Sequence, residues 1–247
     1  MTHPVNSIWL SPPDELKLSS GQVDIWQADL NLNDQQLAQF QFTLSEDEQQ
    51  RAQRFRFERD RHQYIAARGI LRSLLGRYLN THPAQLKFQY SEKGKPGLST
   101  PDLTPTIQFN ISHSHFKALY AIAVNRRVGI DLEYIRSLEA LSLAQRFFSQ
   151  RELTQLATTA PQQQQQVFFQ LWTGKEAYLK ATGEGLLGLE KIEITPEDMQ
   201  LFSTNNPSEP LSNWTLFSIK NIPNYAAAIA VEGENIELYY WQWQPII

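Results

Sequence analysis

No cysteine occurs among the 247 residues. That excludes disulfides, thiolate metal sites and cysteine nucleophiles, and it fits a reducing compartment. No apolar run approaches the ~18 residues that a membrane span needs. The opening segment, MTHPVNSIWLSPP, has no Lys or Arg and no apolar stretch of the kind a secretory leader carries. The expected location is therefore cytoplasmic, with no membrane partner. A basic excess is also missing. The 22 Lys and Arg stand against 26 Asp and Glu, a net charge of −4, which argues against a general nucleic-acid binder. The chain has no Walker A loop, no GxSxG and no HExxH, so the sites those motifs mark lose support.

What is present suits a soluble globular chain: 41% hydrophobic and 19% charged residues. The length allows one large domain or two modest ones. Residues 1–21 have little periodicity and predict a loosely held lead-in. QVDIWQADL (22–30) alternates, with Val23, Ile25 and Gln27 on one face, and predicts a strand. Ser45 and Glu48 form a capping box that opens a short helix. Residues 58–79 predict a long amphipathic helix whose apolar stripe is Tyr64, Ile65, Ile70, Leu71, Leu74, Leu75 and Tyr78. Strands are expected at 86–90, 107–112, 117–124 and 128–133, with a tight turn at 93–98. A second capping box joins Ser149 to Glu152. The Gln-rich stretch 158–166 predicts an exposed loop that runs into a helix at 166–182. Strands near 191–194, 214–220, 225–231 and 236–243 complete the chain. YAIAV (120–124) recurs as AAIAV (227–231), and each half holds one long helix. The pattern predicts an α+β chain of two similar halves, 1–124 and 125–247.

Four clusters carry chemistry. Asp131 and Glu133 are two apart on a strand and share one face. Paired oxygen ligands of this kind suit Mg²⁺, and they also occur as two solvated acids on a strand edge. Glu176 and Lys180, in WTGKEAYLK (172–180), are four apart on a helix face. That spacing serves an ordinary surface ion pair as well as a cleft. FNISHSH (109–115) ends a strand with Ser112 and His113 at a turn, a combination that binds an anion or simply makes a turn. Eight arginines, Arg51 among them, fall between residues 51 and 77. They offer a place for phosphate or an acidic partner, or a solvated helix face. Lys93 and Lys95 add charge in the KGKPG turn.

In combination these clusters resemble the Sfp-type 4′-phosphopantetheinyl transferases. The likeness runs from about Phe42 to Gly188. It rests on VGIDLE (128–133), WTGKEAYLK (172–180), GKPGL (94–98), FNISHS (109–114) and RFFS (146–149), in that family's order and spacing. The resemblance implies a pseudo-twofold pair of α/β halves with coenzyme A in the cleft between them. It implies that Asp131, Glu133 and Glu176 hold Mg²⁺ against the pyrophosphate and that Lys180 contacts the same phosphates. Arg51, Lys95, Ser112 and His113 would hold the adenosine end and its 3′-phosphate. Where relatives have a lysine three residues before the position of Arg51, this chain has Glu48, and Arg54 or Arg68 would have to substitute.

The implied reaction is attack by a carrier-protein serine on the β-phosphorus of coenzyme A, releasing 3′,5′-ADP. Glu176 is the candidate for taking the serine proton, and whether it is base, ligand or both stays open. The partner would be an apo acyl or peptidyl carrier protein, docked on residues 134–156. Phe147 and Phe148 in that stretch read as core residues of a short helix. One chain supplies both halves of the cleft, so a monomer is expected. A non-catalytic module that binds coenzyme A or the carrier is an alternative, as is a metal-dependent nuclease. The nuclease is disfavoured by the acidic balance.

Overall fold

Two 22-residue helices organise the chain, one in each half. A computed structural model describes residues 8–99 and 106–245; residues 1–7 of the expected lead-in lie outside the described residues. The first half contains β1 (Gln22–Asp29), α1 (Asp34–Thr43), α2 (Glu46–Gln53) and α3 (Glu58–Leu79). A short hairpin of β2 (Phe88–Tyr90) and β3 (Pro96–Leu98) follows, then β4 (Ile107–Ser114) and β5 (Lys117–Val124). The second half opens with β6 (Val128–Tyr134), α4 (Ala140–Phe147), α5 (Gln150–Thr158) and α6 (Pro161–Thr182). It continues through β7 (Ile192–Ile194), β8 (Leu201–Ser203), β9 (Asn206–Pro210), β10 (Trp214–Ser218), β11 (Tyr225–Glu232) and β12 (Glu237–Gln242).

The strands of the first large sheet run in the order β12-β1-β5-β4, and those of the second in the order β10-β11-β6. All these pairs are antiparallel except β1 with β12. Successive residues of β5 serve two different cores. Ala118, Tyr120 and Ile122 join Ile70, Leu71 and Leu74 of α3. Leu119, Ala121 and Ala123 join Ile130 and Leu132 of β6 and Ile229 of β11. A third core lies between α6 and the far face of the second sheet, where Ala228 and Ala230 meet Leu171, Ala177 and Leu179. The layers are therefore helix, sheet, sheet, helix. The echoed segments lie on β5 and β11, each in the interior of its sheet.

This layering changes the expectation for β1. Alternation predicts one buried face, but Val23 to Ala28 are buried throughout, because a helix covers one face and the second sheet the other. The Gln-rich run also differs from expectation. It is helical from Pro161, since Pro fits the first helical turn and Gln propagates a helix well. Helix α1 and strands β8 and β9 were not foreseen. The described part of the lead-in is pinned: Leu10 N–H donates to Tyr240 O at 3.0 Å, and Trp9 packs edge-on against Tyr240.

Both predicted capping boxes do more than open helices. Glu48 is 1% exposed and accepts from Arg68 Nε at 2.7 Å and Arg72 Nε at 2.6 Å. Glu152 is likewise 1% exposed and accepts from Lys175 Nζ at 2.7 Å. Arg72 and Lys175 are each the fifteenth residue of their long helix. The two halves therefore repeat one device, a buried cap carboxylate tied to a cation of the long helix. Burial pushes the Glu152 carboxyl up, with Lys175 opposing, and it pushes the Lys175 ammonium down, with Glu152 opposing. Among the described residues, no helix is long and apolar enough to cross a membrane.

Candidate active site

The site depends first on how closely α6 approaches β6. A β-carbon added at Gly129 would stand 2.1 Å from Ala177 O and 2.3 Å from Ala181 N. Only glycine permits that contact. Ala177, Ala181, Ala228 and Ala230 continue the small-residue surface, so the helix lies almost on the strand backbone. On α6 the half-buried positions Trp172, Glu176 and Lys180 form a stripe, while Lys175, Ala177 and Leu179 are buried. Glu176 and Lys180 thus reach the same region as Asp131.

Lys180 Nζ donates to Asp131 Oδ1 at 2.6 Å and to Ser112 Oγ at 2.9 Å. Ser112 Oγ donates in turn to Asp131 Oδ1 at 2.9 Å and accepts from Leu132 N–H at 3.2 Å. Its proton and both lone pairs are engaged. Asp131 is 4% exposed, and its Oδ2 is buried with no hydrogen-bond partner among the described residues. Glu133 Oε2 accepts from Ser114 Oγ at 3.2 Å and lies 3.7 Å from the exposed Arg136.

These contacts belong to a seam between the halves. Strand β4 meets β6 through side chains rather than a backbone ladder. Asn110 Oδ1 accepts from Ile130 N–H at 2.9 Å, Ser112 from Leu132, and Ser114 from Tyr134 N–H at 3.1 Å. Three alternate side chains on one strand satisfy three alternate amides on the other. That register sets Ser112 against Asp131 and Ser114 against Glu133.

The carboxylates strain one another electrostatically. Burial, then the Asp131 charge, raises Glu176 to about 7; Lys180 opposes the rise and Glu133 adds to it. Glu133 is raised by burial and then by Asp131, with Ser114, Arg136 and Lys180 opposing. Among the described residues no three His, Asp or Glu side chains stand close enough together to hold an ion. The donor set nevertheless suits a hard cation in its chemistry. It has oxygen atoms only, an unpartnered buried Asp131 Oδ2, and repulsion that a hard cation would relieve.

A cleft of about 230 Å³ opens beside this group, lined by Lys93, Lys95, Asn110 and Ile111 from the first half and by Glu176 and Lys180 from the second. Two adjoining grooves of about 530 Å³ each share Lys95, Pro96 and Gly97 with one another. The hairpin lysines bridge the halves: Lys95 Nζ donates to Ala181 O at 3.0 Å and Lys93 Nζ to Glu184 O at 2.6 Å. Burial and then Arg127 depress Lys95 to about 8. His113 neighbours the same group from an exposed position on β4.

The structure therefore brings together Ser112, His113, Asp131, Glu133, Glu176 and Lys180, with Lys95 on the cleft wall. Arg51 is not among the residues lining these grooves. It is exposed on α2, with its guanidinium 5.9 Å from the Tyr64 ring centre. Arg68 is committed to Glu48, and Arg54 is exposed. Phe148 is buried and stacks on Phe168, and Phe147 packs edge-on against Trp172, so both belong to the α6 core. Sequence reasoning missed Asn110 and Ser114, although the N-x-S-x-S alternation of β4 is their signal. The chain also carries a GxGxxG spacing at Gly183, Gly185 and Gly188. It follows a helix and leads into a 3-10 turn, so it does not join strand to helix as a dinucleotide loop does.

Comparison with known proteins bears on the same residues. A model described as the 4′-phosphopantetheinyl transferase superfamily matches residues 127–230. A second, described as 4′-phosphopantetheinyl transferase, N-terminal, matches residues 29–124. The chain is 42% identical over 238 residues to the 4′-phosphopantetheinyl transferase HetI of Nostoc sp., covering 95% of this chain and 98% of that protein. It is 31% identical over 167 residues to the 4′-phosphopantetheinyl transferase Sfp of Bacillus subtilis, covering 67% and 72%. To the 4′-phosphopantetheinyl transferase gsp of Aneurinibacillus migulanus it is 34% identical over 143 residues, covering 58% and 57%. With nearly full coverage of HetI, and with its motif residues converging on one cleft, the chain belongs to the 4′-phosphopantetheinyl transferase family, of the Sfp type.

Proposed function

We propose that the cleft between the halves binds coenzyme A and that its phosphopantetheine arm passes to a serine of an apo acyl or peptidyl carrier protein, leaving 3′,5′-ADP. The observation that carries this reading is the meeting of Asp131, Glu133, Glu176 and Lys180 beside a cleft whose opposite wall supplies Lys93 and Lys95. In this reading Asp131, Glu133 and Glu176 hold Mg²⁺. The chemistry such an ion supplies when bound is neutralisation of charge on the pyrophosphate and the leaving group.

The chain's own residues do the rest. Lys180, fixed by Asp131 and Ser112, presents a point charge to the phosphates. Lys95 and His113, with Arg51 farther out, take the adenosine end and its 3′-phosphate. Ser112 contributes by holding Asp131 and Lys180, because its hydroxyl proton is already given to Asp131. The carrier serine Oγ forms a bond to the β-phosphorus, and the bond from that phosphorus to the ADP oxygen breaks. The serine proton passes to the Glu176 carboxylate, which lines the cleft. Phosphoryl chemistry of this kind depends chiefly on position and charge, and this site supplies both. The carrier docks over residues 134–156, which flank Asp131 and Glu133.

Intact-mass spectrometry tests the reading. An apo acyl carrier protein is incubated with this protein, coenzyme A and Mg²⁺. A gain of one phosphopantetheine that EDTA abolishes supports it. A folded protein that modifies none of several acyl and peptidyl carriers would overturn it.

A further inference from the structure

The seam between β4 and β6 repeats one arrangement twice. Each of two serines accepts a hydrogen bond from an amide of β6 and donates to the carboxylate of the residue just before that amide. Ser112 accepts from Leu132 N–H and donates to Asp131. Ser114 accepts from Tyr134 N–H at 3.1 Å and donates to Glu133 Oε2 at 3.2 Å. A hydroxyl has one proton. Once the amide occupies a lone pair of Ser114 and fixes Oγ, that proton has Glu133 as its acceptor. Arg136 also approaches Glu133, at 3.7 Å, but on a side chain that is 61% exposed, so it restrains the carboxylate weakly.

We propose that Ser114 is a positioning residue for the transfer reaction. By this bond it orients the Glu133 carboxylate on the strand face that Glu133 shares with Asp131. The proposal rests on the reading of Glu133 as a metal ligand. Groups that orient a ligating carboxylate usually contribute about 10- to 100-fold in metal affinity. Ser114 is half-buried at the strand end, so its substitution by alanine removes its bonds to Glu133 and to Tyr134 N–H without opening a core cavity.

The test is calorimetric titration of Mg²⁺ into the protein with coenzyme A present, with thermal melting to show that each variant is folded. Ser114→Ala is expected to weaken Mg²⁺ binding about tenfold, and Ser114→Thr, which keeps the hydroxyl, to stay within about twofold of the parent. If Ser114→Ala does not fold, Ser114→Cys carries the same test, since a thiol keeps the bulk but donates weakly. Glu133→Ala separates the two ideas. If it leaves Mg²⁺ binding unchanged, Glu133 is not a ligand and the metal reading fails with the proposal. If it weakens binding while Ser114→Ala does not, the positioning role alone is overturned. Equal losses in the alanine and threonine variants also overturn it, because they would reflect packing rather than the hydroxyl.

Discussion

Gly129→Ala tests the contact on which the whole site rests. The added methyl would meet Ala177 O at 2.1 Å and Ala181 N at 2.3 Å. Both are backbone atoms of α6, so no side-chain rotation relieves the clash. The helix must retreat by more than 1 Å to reach ordinary contact. Overpacking against backbone belongs at the upper end of its usual cost, about 3 kcal/mol. Replacing glycine also stiffens the unfolded chain, which returns less than about 1 kcal/mol. The net loss of about 2 kcal/mol lowers the melting temperature by roughly 4–8 °C for a chain of this size. The effect on transfer should be larger, because α6 carries Glu176 and Lys180. A displacement of 1 Å exceeds what the 2.6 Å Lys180–Asp131 contact tolerates, and misplacement on that scale costs about 100-fold in rate. Melting is followed by circular dichroism, and transfer by mass spectrometry of the carrier. Wild-type melting with wild-type turnover would refute the argument. Reduced stability with full turnover would show that the close approach holds the fold but not the site.

Lys175→Met leaves Glu152 buried without its cation and should cost about 3 kcal/mol; pairing it with Glu152→Gln should restore part of that, which a double-mutant denaturation cycle measures. Glu176→Gln should lower turnover by about 100-fold or more with the fold intact, and near-normal turnover in the purified variant would defeat its assignment. Lys95 is held at about 8 in the free protein, so it is charged below that pH and neutral above it. If it faces a phosphate of coenzyme A, affinity is highest below pH 8 and falls as pH rises through 8. Lys95→Arg should remove that inflection, whereas an unchanged pH profile in titrations of coenzyme A would place Lys95 outside the phosphate site.

The sequence by itself determined the elements with strong local signals. The bounds of α3, both capping boxes, the β4–β5 pair and the β6 strand follow from periodicity and cap chemistry, which are local properties of the chain. The acids and the lysine of the site were legible for the same reason, since strand and helix spacing put Asp131 with Glu133 and Glu176 with Lys180. Where the polar residues of a strand or cap point is decided by the partner it packs against, which no local pattern encodes. Glu48 and Glu152 look like ordinary surface caps until α3 and α6 bury them against Arg72 and Lys175. β1 looks one-sided until the second sheet covers its other face. β12 returns from the far end of the chain to lie parallel to β1. Ser112 reads as a turn residue, but the seam between the halves sets it against Asp131, and Ser114, two residues on, against Glu133. The sequence placed the reactive groups on their own elements, and the packing of β4 on β6 and of α6 on Gly129 decided that they meet.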